Sequence, residues 1–351
     1  MKKQSLMLAA SLGALALTGC GGPGGGGDGE GVAGGGTSRL DTVKARGQLI
    51  CGVDGGIPGF SFVDNGEYSG LDVDTCKAVA AALFDDPNAV EYRNLDSTER
   101  FEALKGGEVD MLARNTTWTI SRDTSVGMEF APTTFYDGQG MMVRESSGIT
   151  DLQGLEGGTV CVEAGTTTEL NLTDQFRQLG INATPQTFQS ADAAYAAYEA
   201  GSCEGMTSDK SQLVARRSTL SNPDEHVLLE VTMSKEPLGP LTVNNDSAWF
   251  DTVKWVTYAL IQAEEFGLTA DTIAEAANSD NPDIKRFVGA EGTLGEDMGL
   301  PNDFAARAVG AVGNYGEIFE RNLGEGSVFK LERGQNALYT EGGLMYSPPF
   351  R

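Results

Sequence analysis

Between Ala113 and Asp123 the chain reads Ala-Arg-Asn-Thr-Thr-Trp-Thr-Ile-Ser-Arg-Asp, which gathers hydroxyls, an amide and a guanidinium. The preceding Val109-Asp110-Met111-Leu112 reads as a short buried strand introduced by the turn Gly106-Gly107. In open α/β sheets, ligands bind just past the carboxyl ends of the strands. A guanidinium presents a rigid fork of donors that matches a carboxylate two-pronged, so Arg122 is a candidate carboxylate clamp. Asn115 and Thr117 stand where they can add backbone and side-chain bonds to the same small molecule. Taken alone, the segment suits a solvated Ser/Thr loop with a surface arginine equally well.

Three further stretches carry chemistry. Thr159 to Glu163 reads as a strand and leads into Ala164-Gly165-Thr166-Thr167-Thr168-Glu169, where Thr166 and Glu169 have capping-box spacing. The helix N-terminus there offers free N–H groups to a carboxylate, a contribution of about 0.3–2 kcal/mol, although a capped helix without a ligand is the plainer account. Glu204 to Ser208 reads as a strand ending at Asp209, ahead of a helix from Lys210 to Arg217. An aspartate so placed either receives an ammonium group or caps the next helix. Gln48 to Val53 reads as the first strand and ends in Asp54-Gly55-Gly56-Ile57-Pro58-Gly59-Phe60, whose glycines permit close approach of a ligand or simply a tight turn.

The elements that must hold these residues follow in order. Leu71 to Leu83 has helical spacing with acids in its first turn, and Ala89 to Arg93 suits a strand. Ser97 or Thr98 can cap a helix carrying Phe101 and Leu104. This β-α-β-α-β order marks a parallel sheet. Phe135 to Arg144 reads as a crossing into a second lobe, where the β-α pattern starts again, with Ser190 capping a helix from Ala191 to Ala200. Val227 to Val231 and Leu241-Thr242-Val243 read as the return. Helices are expected from Trp249 to Gly267, Thr269 to Ala277 and Phe304 to Asn322, with the tail Leu344 to Arg351 strapped across the first lobe. The expected division is a signal over residues 1–19, a tether over 20–38, lobe 1 over 39–137 and 244–351, and lobe 2 over 138–243.

The start of the chain reads as an export address. Lys2 and Lys3 precede an apolar run from Leu6 to Leu17, too short for the ~20 residues of a spanning helix. Leu17-Thr18-Gly19-Cys20 resembles a bacterial lipobox with Cys20 as the lipidated residue, an ordinary signal being the alternative. Eleven of the eighteen residues from Gly21 to Ser38 are glycine. Such a coil spans about 25 Å root-mean-square, enough to keep a domain near a membrane. The net charge of −25 argues against nucleic acid or an anionic membrane surface as partner. In an exported protein, Cys51, Cys76, Cys161 and Cys203 invite two disulfides among three possible pairings. Cys51–Cys76 and Cys161–Cys203 keep each bridge within one lobe, for roughly 3.5–4 kcal/mol each in the chain-entropy model. The cysteines have no zinc spacing, so neither a metal nor a cofactor is expected.

Together, Gly52 to Asp74, Asn115 to Asp123, Gly158 to Glu169, Thr207 to Asp209 and the ending from Val312-Gly313-Asn314-Tyr315-Gly316-Glu317 to Pro349 resemble the extracytoplasmic solute-binding proteins of amino-acid ABC importers, in the general L-amino-acid-binding branch. The resemblance implies an α/β, two-lobe periplasmic-binding-protein-like (type II) fold with two crossover strands, closing on a free L-amino acid delivered to a permease. It implies that Arg122 clamps the α-carboxylate, helped by backbone groups at Thr117 and Thr167. Asp209 would take the α-ammonium with the backbone near Asn115. Where single-substrate relatives often carry large aromatics, this chain has Ile57 and Ser97, so a wide, permissive site is expected, with Thr166 and Phe60 at its edge. Two other classes remain in view. One is an exported dehydratase-like enzyme on the same fold, although His226, the only histidine, sits in a loop context beside acids. The other is a sensing module acting through a separate receptor chain.

Overall fold

The computed structural model describes residues 38–351, so the expected signal and all of the tether except Ser38 lie outside it. Ser38 accepts a hydrogen bond from the Leu40 amide at the head of helix Arg39–Arg46. Two five-stranded sheets form the frame. The first is ordered Val90–Asn94, Leu49–Val53, Met111–Leu112, Leu241–Val243, Met128–Phe130; its first three strands are parallel and its last two join antiparallel. The second is ordered Thr184–Phe188, Thr159–Glu163, Gly205–Asp209, Gln139–Arg144, His226–Leu228, with the same change from parallel to antiparallel. The fold is therefore α/β, of the two-lobe type II kind, with helices flanking each sheet.

Each sheet has its own apolar core. In the first, helix Leu71–Phe84 has twelve of its fourteen residues buried. Its alanine-rich faces let helices Phe304–Val312 and Ser247–Glu265 pack closely on it. Cys51–Cys76 ties this helix to strand Leu49–Val53 with the Cα atoms 6.3 Å apart. In the second, Cys161–Cys203 joins strand Thr159–Glu163 to the turn before Gly205, with Cα atoms 5.7 Å apart. The tail returns to the first core, where the Phe350 ring meets Trp255 at 5.2 Å and Phe287 at 5.1 Å.

Several elements differ from the sequence reading. Val109–Ala113 contributes only Met111–Leu112 to the sheet. The stretch expected as one helix over Phe304–Asn322 is two, because Gly313 adopts φ 84° and Asn314 starts the second with a capping box closed by Glu317. Thr269–Ala277 winds only into a 3-10 turn, Ile273–Asn278. The return crossing is neither Val227–Val231 nor Leu241–Val243. Glu236–Leu238 returns instead, pairing antiparallel with the outgoing Phe135–Asp137 as a two-stranded ribbon between the sheets. Polar Glu236 and Pro237, which has no N–H to give a ladder, left that segment without a strand signature.

Candidate functional site

The carboxyl ends of the inner parallel strands face a cavity of about 280 Å³. Its lining is polar and draws on both sheets: Arg100, Arg122, Thr117 and Asn115 from the first, Thr166, Thr167 and Asp209 from the second, with Ser97 also present. Seven residues proposed from sequence thus meet at one place: Ser97, Asn115, Thr117, Arg122, Thr166, Thr167 and Asp209.

Local structure explains their positions. Asn115 sits at φ 33°, a conformation asparagine tolerates, and its amide donates to Asp72 Oδ2 at 2.9 Å. Thr119 caps the short helix Ile120–Thr124, which aims Arg122 back so that its Nη1 donates to the Thr117 carbonyl at 2.8 Å. Arg122 is only 7% exposed and has no ion pair among the described residues. Burial brings its pKa down to about 10, against the pull of the Glu236 and Asp209 carboxylates.

Across the cavity, Thr166 caps helix Thr167–Leu179, accepting from the Glu169 amide at 3.1 Å while Glu169 Oε2 accepts from the Gly165 amide at 2.9 Å. Gly165, at φ 73°, is one place of close approach between the two sides, since a Cβ there would meet Thr98 Cγ2 at 3.2 Å. Asp209 makes no capping bond to the helix that follows it. Its Oδ1 is buried without a partner among the described residues. Burial, then the neighbouring Asp137 and Glu236, push its carboxyl well above the usual range.

Ile57 and Phe60 are not at this site. Both are 1% exposed in the first core, and the Phe60 ring meets Phe135 edge-on at 5.1 Å. The glycine loop turns its apolar side chains inward and meets the cavity's lining through Asp54, whose Oδ2 holds Arg114 Nη2 at 2.7 Å. His226 is not on a surface loop either: it starts an edge strand and is hydrogen-bonded to the buried Tyr198 hydroxyl at 2.9 Å. The sequence reading missed four buried groups, Arg100, Arg114, Glu163 and Glu236. Arg114 ties Asp54 to Glu163 Oε1, the latter at 3.4 Å. Burial opposes the charge on Arg114, but the two carboxylates outweigh it and raise its pKa. Arginine after a strand was a legible signal for Arg114; nothing local marked Glu236.

The family model for bacterial extracellular solute-binding proteins, family 3, matches residues 49–335. The chain belongs to that family. It is 51% identical over 317 residues to the "General L-amino acid-binding periplasmic protein AapJ" of Rhizobium johnstonii, covering 90% of this chain and 93% of that one. It is 49% identical over 316 residues to the "Glutamate/glutamine/aspartate/asparagine-binding protein BztA" of Rhodobacter capsulatus, covering 90% and 94%. Among solved structures, an ABC transporter periplasmic binding protein from Brucella ovis with glutathione bound superposes with a TM-score of 0.88 at 49% identity, covering 90% and 100%.

Proposed function

We propose that this chain is the substrate-binding component of an amino-acid ABC importer, holding free L-amino acids by their α-carboxylate and α-ammonium groups and delivering them to a membrane permease. The observation that carries it is that one cavity holds a cation, Arg122, and a carboxyl, Asp209, neither of which has an ion-pair partner among the described residues. A zwitterion satisfies both at once, and burial strengthens each contact. The backbone at Thr117 and Thr167 assists at the acid end and that near Asn115 at the amine end. Closure is favoured by ligand because only the closed cavity presents both charges.

The lobes in this reading run over 39–137 with 244–351, and over 138–243. The separate cores and the crossing ribbon support this division except at its end, since Leu241–Val243 lies in the first sheet and the chain has already returned at Glu236–Leu238. Export and lipid anchoring at Cys20 belong to the same proposal, resting on Leu17-Thr18-Gly19-Cys20. Transport takes precedence over catalysis because the family binds solutes. A γ-glutamyl peptide is a second reading, favoured by the Brucella relative.

Native mass spectrometry of the protein as purified, followed by calorimetry with the twenty amino acids and glutathione, tests the assignment. Bound amino acids recovered unchanged, with several binding near the micromolar range of about −8 kcal/mol, are expected. One ligand bound roughly a thousandfold better than all others would overturn the broad specificity. Absence of amino-acid binding would overturn the function.

A further inference from the structure

The ribbon that joins the two sheets has an outer edge, and the tail of the chain covers it. Tyr136 lies opposite Pro237 in that ribbon. Proline has no N–H to give, and the Pro237 carbonyl accepts from the Trp118 amide at 2.8 Å on its other side. The Tyr136 N–H and C=O therefore point outward, as in any pair of an antiparallel ladder that exchanges no bonds. Asn336 meets both of them. Its Oδ1 accepts from the Tyr136 amide at 2.7 Å, and its Nδ2 donates to the Tyr136 carbonyl at 3.2 Å. Asn336 is itself fixed to the first lobe. It is buried, and its carbonyl accepts from Arg333 Nε at 2.9 Å. Arg333 forks onto the two oxygens of Glu264, in helix Ser247–Glu265, at 3.0 and 3.2 Å. The Phe319 and Tyr315 rings lie against the same guanidinium at 4.9 and 5.2 Å.

One residue further along, the chain is held from the other side. The Asp137 carboxylate accepts from the Ser211 amide at 3.1 Å and from the Ser211 hydroxyl. The Gly138 carbonyl accepts from the Lys210 amide at 2.8 Å, so both partners belong to helix Lys210–Arg217 on the second sheet. A Cβ on Gly138 would meet Thr232 Cγ2 at 2.5 Å and the Ser234 carbonyl oxygen at 2.9 Å, so the two crossing segments run too close there for a side chain. A strand gripped by one body at Tyr136 and by another at Gly138 can bend only between them, and hinges take up rotation at just such short joints. Resting on the closing motion in the reading above, we propose that Asn336 is a positioning residue for ligand binding. By pinning Tyr136 to the first lobe it confines the bend of the outgoing strand to Asp137–Gly138, and so returns Thr167 and Asp209 to Thr117 and Arg122 along one path. Without Asn336 the Tyr136 groups lose their partners, and the free joint lengthens back to Thr134. There the amide donates to the Leu238 carbonyl, and the carbonyl accepts from the Tyr315 hydroxyl, each at 2.8 Å. The open state then spreads over more arrangements, fewer of which lead to a matched cavity.

The experiment places nitroxide labels at the exposed Ile120 and Leu170, on the short helix Ile120–Thr124 of one side and helix Thr167–Leu179 of the other. Electron–electron resonance then compares the label–label distances in wild type and in Asn336→Leu, which keeps the volume and loses both bonds to Tyr136. Saturating L-glutamine supplies the closed reference. In the ligand-free state the variant's distance distribution is expected to be at least about twice as wide as that of wild type. Equal widths would overturn the proposal even if the variant melts at a lower temperature, since a merely structural asparagine moves only the melting point. Amide exchange in the wild type keeps the proposal open to refutation if Asn336→Leu does not fold. The Tyr136 amide is expected to be protected without ligand to within about threefold of its protection with L-glutamine. Protection gained only on binding would show that the pin does not persist through opening, and would overturn the proposal. The ligand-free widths need no ligand, so failure of L-glutamine to bind would count against the amino-acid reading alone.

Discussion

Thr117 and Thr167, from opposite sides of the cavity, donate their hydroxyls to the same oxygen of Glu236, at 2.6 and 2.8 Å. Glu236 is fully buried at the start of the returning ribbon strand, and its other oxygen accepts from Asn171 at 2.9 Å and from Ser234. One carboxylate on the returning ribbon strand therefore holds a hydroxyl from each side of the cavity, a link that an opening of the cleft would have to break. Hydrogen bonds to a charged group contribute about 1.5–3 kcal/mol each when desolvated. Glu236→Gln keeps the shape and loses the charge. It is expected to weaken ligand affinity by roughly 1–2 kcal/mol, mainly through faster release. Small-angle scattering of the ligand-free variant should show a larger radius of gyration than wild type. Unchanged release kinetics and an unchanged radius would show that Glu236 plays no part in closure.

Arg122→Ala removes the fork assigned to the α-carboxylate, and so acts on every ligand alike. The expected loss is at least about 2–3 kcal/mol for each amino acid tested, read by calorimetry. Arg122 also steadies the Thr117 carbonyl. Thermal unfolding of the ligand-free variant separates that local role from ligand binding. Affinity like that of wild type would refute the clamp.

The candidate site was legible in sequence where a residue's role is local. Strand ends followed by hydroxyls, a capping Thr166 and a strand-terminal Asp209 all announce themselves within a few positions. Glu236 and Arg100 do not, because what makes them part of the site is burial against segments far away in the chain: Thr117 stands 119 residues from Glu236. Ile57 and Phe60 failed for the opposite reason. Their loop does lie at a strand end, but apolar side chains there were drawn into the adjacent core, while Asp54 turned toward Arg114. The broken helix at Gly313 shows the same limit, since a 3.6-residue apolar pattern continued through a break that only Asn314 and Glu317 signalled.

Asp72 supplies a stability test that is independent of ligand. Burial pushes its carboxyl up from 3.8 to about 7, despite the hydrogen bond from the Asn115 amide and the charge of Arg114. Between those values the folded chain keeps a proton that the unfolded chain releases, so this group's contribution declines as pH rises through the window. Asp72→Asn keeps an acceptor for Asn115 and removes the titration. Relative to wild type, the variant's unfolding free energy is expected to improve by roughly 2–4 kcal/mol between pH 4 and pH 8. Denaturant unfolding at several pH values reads the difference. A constant offset across that range would mean that Asp72 titrates normally in the folded protein.

Asp209 links ligand binding to protons. In the ligand-free cavity, burial and the nearby Asp137 and Glu236 carboxyls raise its pKa well above the ordinary value, while Arg122 and Arg100 act the other way. An ammonium group arriving at its unpaired Oδ1 favours the charged form, which lowers the pKa in the complex. Between the free and bound values, binding must expel a proton, so affinity rises with pH through that interval and falls as acid returns. Calorimetry at several pH values from 4 to 8, each in two buffers of different ionisation enthalpy, measures the protons released per ligand. A release well above zero is expected for wild type, and none from this position in Asp209→Asn, whose affinity should also drop by about 1.5–3 kcal/mol. Asp137, brought to about 6 by burial and held by Ser211, is the neighbour able to mimic the effect. Asp137→Asn is the control: the release should survive it. If release vanishes in Asp137→Asn and persists in Asp209→Asn, the ammonium is held by neither the residue nor the geometry proposed for it.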